Sequence, residues 1–218
     1  MRMDKEINAL LKTMHSEAVK SKGYTAEMGV VKICEEFYQE YGGILYHSYT
    51  YKVDKDLAGN IKKNDNGNLY VENLGPTTEI DILLVTPFRI FPIEAKAYRT
   101  KKIIFTDDGI GGCAVTEKSP VHQHEMHCRH LYSHIFKSLP DGDTSYIVPI
   151  VCMIDKAQID DKRSNWQKDY IKICTINALR ELLVKYNVPG KYMLDLKSID
   201  TTLKEASTDY NKYFPLRI

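Results

Sequence analysis

Asp81, Glu94 and Lys96 are the residues whose types and spacing point most directly to chemistry. Asp81 falls near the start of the apolar run Ile80 to Val85, and Glu94 and Lys96 close a second run that begins at Ile90. Both runs are short and rich in β-branched residues, and Thr86-Pro87-Phe88-Arg89 joins them. They therefore read as two adjacent strands linked by a turn. Strand side chains two apart share a face, which sets Glu94 beside Lys96. If the strand ends are neighbours, Asp81 and Glu94 converge. Two carboxylates that close repel unless a proton or a cation lies between them. Mg²⁺ is the simplest cation to expect, because it prefers oxygen ligands, takes one or two protein carboxylates and fills its shell with water and phosphate. Lys96 can then orient or deprotonate an attacking water, or neutralise charge on a phosphate. A solvated Glu-x-Lys at a wet strand end is the competing reading of the same residues.

The elements around this hairpin follow from periodicity and turn signals. Ile7, Leu10, Leu11 and Met14 have helical spacing within residues 4–20, and Val30, Ile33, Cys34 and Phe37 predict a second helix from about Ala26 to Tyr41, ended by Gly42-Gly43. Glu27 lies in its first turn, where a carboxylate complements the helix dipole. Alternating aromatic and β-branched residues predict a strand over Ile44 to Val53, and Asn66-Gly67 marks a turn in the polar span Asp54 to Asn68, read as a surface excursion or hairpin insertion. Lys101 to Phe105 reads as a strand followed by a glycine-rich loop, and Tyr146 to Ile154 as a central strand. Tyr170 to Cys174 predicts a short strand, Thr175 a helix cap, and Ser198 to Ala206 a last helix before a tyrosine-rich tail.

Ser119-Pro120 opens a helix that reaches roughly Leu139 and holds five histidines. At about 100° per residue, Cys128, Leu131, Tyr132, Ile135 and Leu139 form an apolar face. Gln123, His127, His130 and His134 gather on its shoulder. No acidic or cysteine ligand stands at matching spacing in the helix, so a phosphate-contacting or packed face is expected before a zinc site. His122 and His124 fall off this stripe and are expected at the surface. Trp166 and the tyrosines from Tyr46 to Tyr51 are candidates for stacking on bases, with core packing as the other reading.

Composition sets the bounds. The chain has 218 residues with 43% hydrophobic and 27% charged, in the range of an ordinary globular protein. One domain, residues 1–218, is the expected count, with its core at about 24–185 and the helix at 4–20 and the C-terminal extension packed on it. A net charge of +1 excludes a strongly basic nucleic-acid wrapper but leaves room for a local basic patch. Five scattered cysteines without a C-x-x-C pair are expected to be reduced, and no segment reads as a signal peptide or a membrane span, so the cytoplasm is the expected compartment.

Asp81 followed by Glu94-Ala95-Lys96, in this strand context, resembles the PD-(D/E)XK nuclease superfamily. The order of segments is more closely similar to the nuclease-related domain family. The segments are Glu27 in a helix, Thr78-Glu79-Ile80-Asp81, Ile93-Glu94-Ala95-Lys96, Ser119-Pro120-Val121-His122-Gln123 with His127, and Val148-Pro149-Ile150-Val151. Ala26 stands where that family has glycine before the glutamate, and Ser119 where it has asparagine before the helix proline. The resemblance implies an α/β fold, a central mixed sheet flanked by helices with a restriction-endonuclease-like core. It also implies hydrolysis of phosphodiester bonds in nucleic acid, most readily DNA. Asp81, Glu94 and the carbonyl of Ala95 would bind Mg²⁺ or Mn²⁺, Lys96 would position the water, and Gln123 would contact metal-bound water or phosphate. Glu27 is carried over as a further catalytic residue, and Glu79 shares the strand face of Asp81. Lys96, Arg99, Lys101 and Lys102 form a candidate phosphate-contacting edge, joined by His127. A double-strand cut with one site per chain would favour a homodimer. A nuclease-like nucleic-acid-binding module without strong chemistry is the alternative. An unrelated α/β protein would be favoured if Asp81 and Glu94 lay far apart.

Overall fold

The computed structural model describes residues 27–52, 61–63, 69–71, 77–98, 100–111, 119–154, 157–209 and 212–217. The helix expected at 4–20, Arg99 and Cys113 lie outside them. The hairpin is the centre of a mixed sheet. Strand β4 (Thr77–Val85) alternates exposed and buried residues through Thr77-Thr78-Glu79-Ile80 and is then buried without a break from Ile82 to Val85. A strand covered on both faces needs such an uninterrupted apolar run. It pairs antiparallel with β5 (Ile90–Lys96), and Thr86 closes the turn by accepting the Arg89 amide at its Oγ1 at 2.9 Å.

The sheet continues from β4 to β1 (Gly43–Lys52), antiparallel, and from β5 to β8 (Ile150–Met153) and β10 (Lys172–Thr175), both parallel. Both β11 (Ser207–Asp209) and β12 (Lys212–Arg217) pair with the far edge of β1. The tail read only as tyrosine-rich thus supplies edge strands. Gly43, with φ of +111°, lets β1 begin against the end of β4, where a Cβ would stand 1.9 Å from the Val85 carbonyl oxygen.

Helix α1 (residues 27–41) and α4 (Ile176–Tyr186) cover one face, where Phe37 and Leu179 meet Ile82, Phe91 and Ile93. Helices α2 (Pro120–Ile135) and α5 (Leu196–Ala206) cover the other, where Leu131 and Ile199 meet Tyr46, Tyr49, Ile80 and Leu83. On β1 both Tyr46 and Tyr49, three apart, face α2 and α5, and opposite them on β4 so do Leu83 and Ile80. Alternation with period two forbids this unless both strands slip phase at one level. The slip falls at Ser48, whose φ is +52°, and at its neighbour Asp81.

A smaller sheet of β7 (Gly109–Gly111), β6 (Lys102–Thr106) and β9 (Gln158–Asp161) packs against β8 through Ile103 and Phe105, and α3 (Asn165–Tyr170) leads from it to β10. Between Gln158 and Tyr170, where β9 and α3 lie, the sequence is mostly polar, and polar side chains hold much of the span in place. Arg163 is the example, donating to Asp161 and to the Ile171 carbonyl. The short strands β2 (Ile61–Lys63) and β3 (Leu69–Val71) pair in antiparallel register about position 66, as Asn66-Gly67 predicts. The central strand is shorter than expected, since Thr144–Tyr146 is a 3₁₀ turn and β8 starts at Ile150. Helix α2 likewise stops at Ile135 and passes into a 3₁₀ turn. Ser119 holds the N-cap position of α2, but its hydroxyl makes no capping bond. No helix among the described residues is long and apolar enough to cross a membrane.

Candidate functional site

Where β4 and β5 part, the register explains the site. The ladder runs from Val85↔Ile90 to Ile82↔Ile93 and stops one pair short of Asp81 and Glu94. Beyond that point the main-chain N–H of Ala95 donates to Asp81 Oδ2 at 2.7 Å, so the carboxylate replaces a ladder acceptor. Asp81 can point along the sheet because it sits at the phase slip of β4. On the α2 side of β5, Lys96 Nζ lies 2.6 Å from Glu94 Oε1. The expected convergence of Asp81, Glu94 and Lys96 is therefore present, and the reading as a loose, solvated strand end fails for Glu94, which is buried.

Electrostatics separate the two carboxylates. Burial, and then the charge of Glu94, push Asp81 well above the ordinary carboxylate range. Burial acts on Glu94 in the same direction, but the His127 ring, the Lys96 ammonium and the His124 ring outweigh it and hold Glu94 at about 2. When the pair takes up one proton, Asp81 holds it.

Helix α2 brings imidazoles to the same point. His127 Nδ1 lies 3.5 Å and His124 Nδ1 3.8 Å from Glu94 Oε2. His124 Nε2 donates to the Pro92 carbonyl at 3.0 Å, which fixes the ring against β5. Burial lowers His124 to about 4, so its ring is neutral near neutral pH. Glu94 Oε2 and both Nδ1 atoms are buried without a hydrogen-bond partner among the described residues. One ligand atom from each of Glu94, His124 and His127 lies within 4.8 Å of the others, a group able to hold a metal ion. The helix is anchored by Tyr51, whose hydroxyl donates to the His127 main-chain carbonyl at 2.5 Å.

Several sequence expectations are corrected here. His124, expected at the surface, is wholly buried, whereas Gln123 is exposed on α2. The helical phase holds the missed signal, because His124 precedes Cys128, Leu131 and Ile135 at spacings of 4, 7 and 11 on the apolar face. The acidic partner that the histidine stripe lacks within its own helix comes from β5, 30 residues earlier than His124. His134 is spent on the Lys52 carbonyl at 2.6 Å, and His130 is buried in the helix. Tyr46, Tyr49 and Tyr51 are core residues, which excludes base stacking, whereas Trp166 is 63% exposed. Glu79 is exposed on β4, opposite Thr50.

Glu27 reaches the sheet through a partner that the sequence reading did not single out. Its Oε1 lies 2.7 Å from His47 Nε2, and His47 precedes the kinked Ser48 on β1. Of the basic edge, Lys101 and Lys102 are exposed, and Lys102 Nζ pairs with Asp160 at 2.8 Å. Compared with known proteins, residues 22–154 match the family model described as the nuclease-related domain. No curated protein and no solved structure matches the chain.

Proposed function

The chain belongs to the nuclease-related domain family, and on that premise we propose that it is a metal-dependent nuclease that hydrolyses phosphodiester bonds, with DNA as the preferred substrate. The observation that carries the reading is the meeting of Asp81 and Glu94 where β4 and β5 part, with Lys96 against Glu94. The residues fit a dication. Glu94 is a buried carboxylate, and Asp81 beside it is held above its ordinary range by burial and by the charge of Glu94. A cation between the two would offset that cost. Asp81 and Glu94, with the Ala95 carbonyl, are the residues to hold Mg²⁺ or Mn²⁺. When bound, such an ion neutralises phosphate charge and makes a water nucleophilic near neutral pH.

The chain's own groups do the rest. Lys96 is partly exposed, and its ammonium orients the attacking water and opposes the charge that develops on the phosphate. His127 Nδ1 lies 3.5 Å from the Glu94 oxygen that Lys96 does not take. Glu27 acts through His47 as a positioning residue on the α1 side of the sheet. Lys101 and Lys102 supply exposed positive charge for phosphates on either side of the cut. A homodimer would place one such site on each strand of a duplex.

The test is cleavage of supercoiled, linear and single-stranded DNA, with RNA alongside, in Mg²⁺, Mn²⁺ or EDTA. Metal-dependent cutting that Asp81→Ala abolishes is the expected result. Binding without cutting by both proteins would replace this reading with that of a nucleic-acid-binding module.

A further inference from the structure

We propose that Glu94, His124 and His127 form a site for a nitrogen-preferring first-row transition dication, with Zn²⁺ as its probe, separate from the carboxylate pair although it shares Glu94. The ligand atoms are Glu94 Oε2 and the two Nδ1 atoms, which lie 3.5 and 3.8 Å from that oxygen, and one ligand atom from each of the three residues lies within 4.8 Å of the others. Two ligands each about 2.0–2.1 Å from a tetrahedral zinc stand roughly 3.3–3.4 Å apart, so shifts of a few tenths of an ångström bring the two imidazole–carboxylate distances to that spacing.

The hydrogen bonds already made determine which atoms are left for a cation. The Pro92 carbonyl can only accept, so the 3.0 Å contact puts the hydrogen of His124 on Nε2 and leaves a lone pair on Nδ1. This is also the outer contact that a metal-bound histidine makes, its far nitrogen donating to a carbonyl. Lys96 takes Glu94 Oε1 at 2.6 Å, which leaves Oε2 for the imidazoles.

All three atoms are buried and without a hydrogen-bond partner among the described residues, a costly state for polar groups. One proton cannot satisfy the three together, and 3.5 Å is long for an N–H···O bond. A cation at their centre can. Two imidazoles and one carboxylate suit zinc or a similar ion. Mg²⁺ instead demands an octahedral oxygen shell, which two imidazoles do not supply. His₂Glu sets also leave a coordination position open, and partly exposed Lys96 marks the side from which a ligand would reach it.

The site stands on ligand atoms of its own and is tested without reference to cleavage. The full chain is stripped of metal and titrated with Zn²⁺ against a chromophoric chelator, and the loaded wild type is examined by X-ray absorption. The expected result is one zinc per chain with two imidazole nitrogens and an oxygen in its first shell. Affinity should fall at least about tenfold in His124→Gln and in His127→Gln. No zinc, a shell of oxygens alone or with sulfur, or unaltered affinity in both histidine variants overturns the proposal. Should a buried histidine variant fail to fold, the wild-type absorption spectrum decides alone. A wild type that binds zinc in this way but cuts no nucleic acid would overturn the nuclease reading and uphold this one. Cleavage with Mg²⁺ and no zinc binding would do the reverse.

Discussion

Replacing Lys96 with methionine keeps the stem and removes the ammonium 2.6 Å from Glu94 Oε1. Glu94 is then a buried carboxylate without its nearest positive charge. Deleting one partner of a fully buried ion pair costs about 3–5 kcal/mol. The Lys96 side chain is 28% exposed, so water already screens part of the attraction. His127 also remains beside the other oxygen. A cost of about 2–3 kcal/mol is therefore expected, or a fall in Tm of roughly 4–12 °C for a chain of this size. The pH dependence identifies the cause. Burial acts to raise Glu94, but His127 and Lys96 bring it down to about 2, below the ordinary value of about 4.3. A carboxyl depressed on folding contributes stability above its unfolded pKa and loses it as pH falls toward the folded one. The penalty of Lys96→Met is thus complete near neutral pH and shrinks below about pH 4. Urea unfolding of both proteins in chelator, at neutral and at acid pH, measures it. An equal penalty at the two pH values would assign it to packing of the lysine stem and refute the electrostatic account. In the cleavage assay the same variant should lose about 10²–10⁴ in rate, the range of a positioned catalytic group.

Two further substitutions test the surroundings. Tyr51→Phe removes the hydroxyl that anchors α2 at the His127 carbonyl, and should cost about 1 kcal/mol, which calorimetry reads as a Tm lower by about 2–4 °C; an unchanged Tm would show that the anchor is not used. Lys102→Ala breaks an exposed pair with Asp160 and should change stability by less than about 1 kcal/mol. If Lys102 contacts a phosphate, the salt dependence of nucleic-acid binding should weaken by about one unit of slope, and an unaltered slope removes it from the edge.

The sequence discloses the part of the site that is local. Asp81, Glu94 and Lys96 lie on one hairpin, whose strands are defined by Ile80 to Val85, Ile90 to Ile93 and the Thr86 turn, so their convergence follows from pairing two apolar runs. What sequence periodicity leaves out is the partner across the fold. His124 lies off the stripe of Gln123, His127, His130 and His134, which sends it to the surface in a reading by histidine spacing, although its phase is that of Cys128, Leu131 and Ile135. Such a reading has no means to supply Glu94 as the ligand. The phase slip at Ser48 and Asp81 is equally illegible, since a positive φ at a serine has no compositional mark. Strands β11 and β12 escape for another reason. They are edge strands that join the main-chain ladder of β1, and β11, Ser207-Thr208-Asp209, carries no apolar residue to mark it.

The two halves of the site are therefore held by different parts of the fold, with Glu94 as their joint. Asp81, Glu94 and Lys96 owe their places to the β4–β5 register, which is buried on both faces and closed by the turn at Thr86. His124 and His127 owe theirs to how α2 sits on that sheet, through the Pro92 carbonyl at one ring and the Tyr51 hydroxyl at the main chain of the other. A change at Tyr51 loosens the imidazoles and leaves the carboxylate and lysine geometry intact, while a change at Asp81 does the converse. Glu94 faces both, one oxygen toward Lys96 and the other toward the histidines. The buried charge is offset from both sides, so an α2 variant and a hairpin variant that each remove one side are expected to couple through this carboxylate.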